Sequence, residues 1–202
     1  MKYLIVFFLL IISIYSCKES NHTQFQTNQI ESSSKANVDN FDSLLTKTYD
    51  ELINRGMEQF LKLRNYTKAF MYFQTAWVKD SNKVDANYWL GCVHSIDCEK
   101  TKTCNKSLYY LNKAINIDRN YRRALKQRAI ILLKMHDAGG ALFDLNEAIA
   151  SDPKDTILFS FRYVAKSILK DKKGACEDLL KSIKLGSVNA KNEYNTSCMP
   201  KM

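Results

Sequence analysis

One small–large–small signature recurs along the chain in a fixed frame, and this constrains the fold more than any other feature. Ala69-x3-Phe73-x2-Ala76 is matched by Ala141-x3-Leu145-x2-Ala148. On a helix the three residues of each set share a face. The small residues let a neighbouring helix approach closely, and the large one fills the gap between them. Pro153 follows five residues after Ala148, where a helix has to stop. From about Phe41 onward, apolar residues recur at spacings of three and four, and no stretch alternates convincingly with period two. Six Gly and two Pro among 202 residues argue against a turn-dense β-sandwich or barrel. With 46% apolar and 25% charged residues, the chain has the composition of ordinary globular material.

The frame extends over four units. A first runs over about 50–83, with Phe60, Tyr66, Ala69, Phe73 and Ala76 at the signature places. A second, about 84–121, carries Leu90-Gly91 in its first helix and Leu111 and Ala114 in its second, after about four extra residues in the turn. A third, about 122–155, has Ala141, Leu145, Ala148 and Pro153, with Arg128-Ala129 in place of a Leu-Gly pair. A fourth, about 156–189, has Ala175, Leu179 and Ser182, and Gly186 ends its second helix. This series resembles the tetratricopeptide repeat, a 34-residue helix–turn–helix. The resemblance implies an all-α solenoid of about four such repeats over 41–198, with a C-terminal capping helix near 187–195. Gly139-Gly140 is expected to form the turn inside the third repeat. Phe41, Leu44, Leu45, Leu52 and Ile53 suggest that the first helix begins early and seals the N-terminal end, and Trp77 and Trp89 are expected in the core.

The N-terminus is of another kind. Met1-Lys2 is followed by an apolar run over 3–12, then Ser13-Ile14-Tyr15-Ser16-Cys17. A charged start, a short apolar stretch and a small residue before a cleavage point describe a secretory signal over 1–16. Ile14-Tyr15-Ser16-Cys17 resembles the lipobox of bacterial lipoproteins, with Tyr15 a departure from the usual small residue. The resemblance implies that Cys17 receives a diacylglyceryl group and that the new N-terminus is then acylated. Acyl chains at about 0.8 kcal/mol per buried CH₂ make such an anchor effectively permanent. Residues 18–40 are rich in Ser, Asn, Gln and Thr without periodicity, and read as a tether reaching roughly 25–30 Å. The expected location is a bacterial membrane, the outer one, facing the periplasm or the cell surface.

In the repeat family, the first helices line a concave groove that binds an extended peptide or a partner helix. Carried over by position, the groove would present Asn54, Glu58 and Lys62, then Tyr88, Cys92 and Ser95. Arg123, Lys126, Ile130 and Lys134 follow in the third repeat, and Ser160, Val164 and Ser167 in the fourth. Arg123 and Lys126 with Tyr88 suit an acidic or carboxylate-bearing segment. Family members that clamp a C-terminal carboxylate use a Lys–Asn pair where this chain has Asn54 and Glu58. Glu58 would repel that ligand, and Trp89 replaces a further Asn, which argues against that ligand class. The formal charge of +9, from 30 Lys and Arg against 21 Asp and Glu, would ordinarily raise nucleic acid as a partner. Export and the scattering of the lysines argue against it.

Five further cysteines remain. Cys98 and Cys104 flank the lengthened turn of the second repeat, where a bridge would pin a loop; Cys92 is an alternative partner for Cys104. By resemblance to exported repeat proteins, Cys176 and Cys198 would staple the cap to the last repeat. Metal binding by Cys92, His94, Cys98 and Cys104 does not fit the common zinc spacings. No phosphate-binding glycine loop, His-Glu-x-x-His or Gly-x-Ser-x-Gly is present. No catalytic residue, metal or cofactor is therefore expected. The chain reads as a membrane-anchored adaptor or scaffold in an envelope complex, with binding of anionic lipid or glycan through a basic face as the alternative.

Overall fold

The computed structural model describes residues 43–96, 98 and 101–199, the side chains of 101–103 excepted. The leader, the tether, Cys17 and Phe41 lie outside the described residues. Helix α1 (Tyr49–Met57) continues into a π-helical turn, Glu58–Lys62. It is followed by α2 (Tyr66–Lys79), α3 (Val84–Ser95), α4 (Thr101–Ile117), α5 (Arg122–Lys134) and α6 (Ala138–Ser151). The chain then forms α7 (Thr156–Ile168), α8 (Lys172–Lys184) and α9 (Val188–Ser197). No strand occurs among the described residues. Each helix packs on its neighbours in the chain, and α5 also touches α3 and α7, the first helices of the adjoining repeats. The result is a run of four helix pairs closed by α9, an all-α solenoid.

Local signals explain where the helices begin. Thr48 caps α1 in a reciprocal box, its hydroxyl accepting from the Glu51 amide while the Glu51 carboxylate accepts from the Thr48 amide at 2.8 Å. That cap starts α1 at Tyr49 rather than earlier. Leu44 lies in a separate helical stretch at 43–45 and is buried in the first core cluster, while Leu45 is exposed, so the helix of the first repeat does not itself begin early, which is a correction. Asn65, Asp137 and Asp171 cap α2, α6 and α8. Each cap is preceded by a residue in the left-handed region, Arg64, His136 and Lys170, at φ of 51°, 63° and 63°. Those residues make the turns. Gly139-Gly140 belongs instead to the first turn of α6, a second correction. A Cβ on Gly140 would lie 2.6 Å from the capping carboxylate of Asp137, so this glycine makes room for the cap.

Close approach at small residues sets the helix pairs. A Cβ on Gly56 would fall 2.4 Å from the Phe73 ring, and one on Gly91 would fall 2.7 Å from Leu111. Ala129 and Leu145 occupy the corresponding places in the third repeat and are fully buried. The π turn adds one residue between the caps of α1 and α2 and brings Phe60 edge-on to Tyr66 and Trp89, at 5.4 and 5.6 Å. Trp89 also stacks on Phe73 at 5.4 Å. Trp77 is half-buried, its indole N–H donating to Asn87 at 3.0 Å. Buried Asn87 in turn donates to the carbonyls of Ser81 and Lys83, which fixes the turn between the first two repeats.

Farther along, the core is mainly aliphatic, with Phe159 among it, and is clasped by two ion-pair clamps in the same register. Arg128 of α5 donates twice to Asp144 of α6, at 2.7 and 2.6 Å, and once to Asn112 of α4, at 2.7 Å. Arg162 of α7 repeats this with Asp178 of α8, at 3.0 and 2.6 Å, and Asn146 of α6, at 2.9 Å. Each guanidinium thus joins three helices across a repeat boundary.

Two outcomes follow for stability. Gly91→Ala forces Leu111 or a helix to shift and lowers stability by about 1–3 kcal/mol, read as a lower urea midpoint at unchanged slope. Arg128→Ala leaves Asp144, 1% exposed, without its counter-ion, and costs about 3–5 kcal/mol in the same assay. Arg128→Met with Asp144→Leu removes both charges and recovers most of that loss.

Candidate functional site

The first helices α1, α3, α5 and α7 carry the candidate groove. Asn54 and Glu58 are exposed, as is Lys62 at the end of the π turn. The second repeat offers less open surface. Tyr88 is half-buried, its ring edge-on to Trp89 and Tyr121 at 5.0 and 5.5 Å, and its hydroxyl faces the Cys92 thiol. Burial pushes the Cys92 thiol up to about 12, so it stays protonated and unreactive. Ser95 accepts from the Gln127 amide at 3.0 Å, which ties α3 to α5.

The third repeat is the cationic one. Lys126 points its ammonium to Asp155, at 3.4 Å, and Arg122 shares that carboxylate at 3.7 Å while also contacting Asp152. Arg123 and Lys126 therefore diverge. Arg123 is exposed and turns toward the Tyr121 hydroxyl, which donates to Asp85 at 3.0 Å. Burial and the neighbouring Asp85 carboxylate push that phenol well above its usual range. Lys134 is exposed at the end of α5, with Ile130 half-buried one turn before it. Among the described residues neither Arg123 nor Lys134 has an acidic partner within ion-pair distance. In the fourth repeat, Ser160 donates to the Thr156 carbonyl at 3.1 Å, while Val164 and Ser167 are exposed. Ile157 and Ile168 were not singled out from the sequence, yet both lie open on α7. The signal for them was available: they stand one repeat after Arg123 and Lys134.

The cysteines fall into three environments. Cys98 and Cys104 are at bonding distance, 2.03 Å between sulfurs, each 3% exposed beneath the lengthened turn. Cys176 and Cys198 are also at bonding distance, 2.05 Å, but are half-buried and line a cavity of about 250 Å³ with Tyr163, Ser167, Lys170 and Lys172. Cys92 is the free thiol. His94 stacks on Tyr110 at 5.6 Å and meets the Phe70 ring edge-on at 5.6 Å. Burial and nearby Lys106 lower its pKa and keep it neutral near pH 7. Among the described residues no group of three or more His, Cys, Asp or Glu side chains is placed to hold a metal ion.

No protein-family model and no curated protein sequence matches the chain. Solved structures do match it in three dimensions. A MamA fragment from Desulfovibrio magneticus RS-1 superposes with a TM-score of 0.63 at 15% identity, over 75% of this chain and 90% of that one. The Pseudomonas aeruginosa protein pilF superposes with a TM-score of 0.60 at 21% identity, over 73% of this chain and 63% of that one. The first tetratricopeptide domain of Spaghetti (RPAP3), solved with an HSP90 peptide, gives a TM-score of 0.51 at 21% identity, covering 58% and 91%. The fold is the tetratricopeptide solenoid.

The two half-cystines of the cap are accessible where those of the second repeat are not. Graded reductant under native conditions, followed by alkylation and mass spectrometry, is expected to label Cys176 and Cys198 first. Cys98 and Cys104 follow only when the second repeat opens, and Cys92 is labelled only on unfolding.

Proposed function

We propose that the protein is a non-catalytic adaptor, anchored at a bacterial membrane through Cys17, that holds a segment of another protein in the concave groove. The observation that carries this reading is a pair of exposed cations, Arg123 and Lys134, which among the described residues have no carboxylate within ion-pair distance and stand on one first helix beside the apolar residues of the next. Cations whose charge no internal carboxylate neutralises are free to meet carboxylates of a ligand, and the half-buried Ile130 between them gives that ligand an apolar contact. The solenoid supports the reading as well, since one related structure contains a bound peptide. An envelope complex is the context that the leader and lipobox suggest. The tether then gives the groove freedom to meet its partner near the membrane.

The test is cross-linking in the cell from a photoreactive side chain placed at Ser160, with Arg123→Glu/Lys134→Glu run in parallel. A specific protein captured by the parent and lost in the variant is the expected result. Capture of lipid alone, or equal capture by both forms, overturns the reading, and lipid capture favours an anionic-surface role instead.

A further inference from the structure

The groove reading above does not say what kind of segment fits, and the inference drawn here rests on that reading. Arg123, Ile130 and Lys134 of α5 and Ile157, Val164 and Ile168 of α7 occupy the same three positions of successive repeats. The spacings of seven and eleven residues put each trio on one helix face, as a row about 16 Å long. Ile157, Val164 and Ile168 are 52%, 39% and 47% exposed, and no other described helix leaves three large apolar side chains in the open. Other faces of α7 bury Leu158, Phe159 and Ala165 in the core, so the helix is seated without this row. The parallel row on α5 is cation, apolar, cation. Helices in contact lie about 8–10 Å apart, which sets the separation of the two rows. In the second repeat the same positions hold Asp85, engaged by Tyr121, buried Cys92 and open Ile96, so among these three repeats only the last two carry the cationic row beside a full apolar row.

We infer that this surface takes an amphipathic helix of a partner protein, its apolar stripe seated along Ile157, Val164 and Ile168 and an acidic flank facing Arg123 and Lys134. A straight apolar row about three helical turns long matches the stripe of a helix lying alongside α7. An extended strand crossing the repeats would meet one residue of each row and leave most of the apolar row uncovered. Charge complementarity fixes the hand of the ligand: acids must lie on the edge nearer α5, because Lys126 and Arg122 already have Asp155 and Asp152, whereas Arg123 and Lys134 have none.

The test uses the full chain and three synthetic helical peptides about five turns long. The first has a leucine stripe with a glutamate flank, the second the same stripe with a lysine flank, and the third a serine stripe with the glutamate flank. Fluorescence anisotropy is expected to show the first binding at least about tenfold more tightly than either other peptide. Arg123→Glu/Lys134→Glu is expected to reverse the preference between the first two. Val164→Asp is expected to weaken both while leaving the circular dichroism and melting temperature unchanged, since Val164 is exposed. Equal binding of the two flanks, no reversal in the double variant, undiminished binding by Val164→Asp, or no binding by any peptide overturns the inference. The adaptor reading is judged separately by in-cell capture: a protein captured from Ser160 alongside a failed peptide series leaves the adaptor standing and removes the amphipathic helix as its ligand.

Discussion

Everything in this solenoid depends on how closely the two helices of a repeat can approach. Gly56 against Phe73 and Gly91 against Leu111 leave no room for a single added carbon, and buried Ala129 with Leu145 continues the series. Because each pair closes in a similar way, residues one repeat apart fall on equivalent places of successive pairs. That equivalence aligns the Arg128 and Arg162 clamps, and it turns separate side chains on α5 and α7 into two parallel rows. A groove with order in it is a by-product of packing small against large.

The two halves meet this constraint with different materials. The first two repeats fill their interior with rings, Phe60, Phe73, Trp89, Tyr88 and Tyr121 lying edge to face or stacked within about 6 Å. The last two use aliphatic side chains and guanidinium clamps. In the second repeat the aromatic cluster takes up Tyr88, while the clamped half holds its arginines between helices and leaves Ile157, Val164 and Ile168 open. The proposed recognition surface thus lies where the core is held by bidentate ion pairs as well as by packing.

Much of this was legible in the sequence because the repeat signature is a packing signature. Ala69, Phe73 and Ala76, and their counterparts at Ala141, Leu145 and Ala148, announce close helices directly, and the four frames coincide with the observed helix pairs. Gly91 was legible for the same reason. Turn chemistry was harder. The glycine pair at 139 and 140 looks like a turn, but the turn is made by His136 in the left-handed region, and Gly140 is needed to seat the Asp137 cap. The start of α1 was misplaced because an apolar run was weighted above the Thr48–Glu51 box. In the groove, position alone does not say which side chains are already engaged. Lys126 is drawn to Asp155 and Tyr88 into the aromatic cluster through contacts 29 and 33 residues distant in the chain. Ile157 and Ile168 were missed because an apolar residue on a helix reads as core until its face is known.

The two disulfide-distance pairs have a mechanical meaning. One closes a turn within the second repeat and the other joins α8 to the segment after α9, so neither fastens one repeat to the next. Between repeats, packing, the Arg128 and Arg162 clamps and single hydrogen bonds such as Gln127 to Ser95 and Trp77 to Asn87 resist a pull along the chain. Under tension the solenoid should lengthen in steps, each released helix pair adding up to about 110–120 Å of extended chain. The residues between Cys176 and Cys198 would stay looped out of the load path however far the rest was drawn. A chain held at one end and gripping a ligand at the other would behave as a stepwise extensible link rather than a rigid strut.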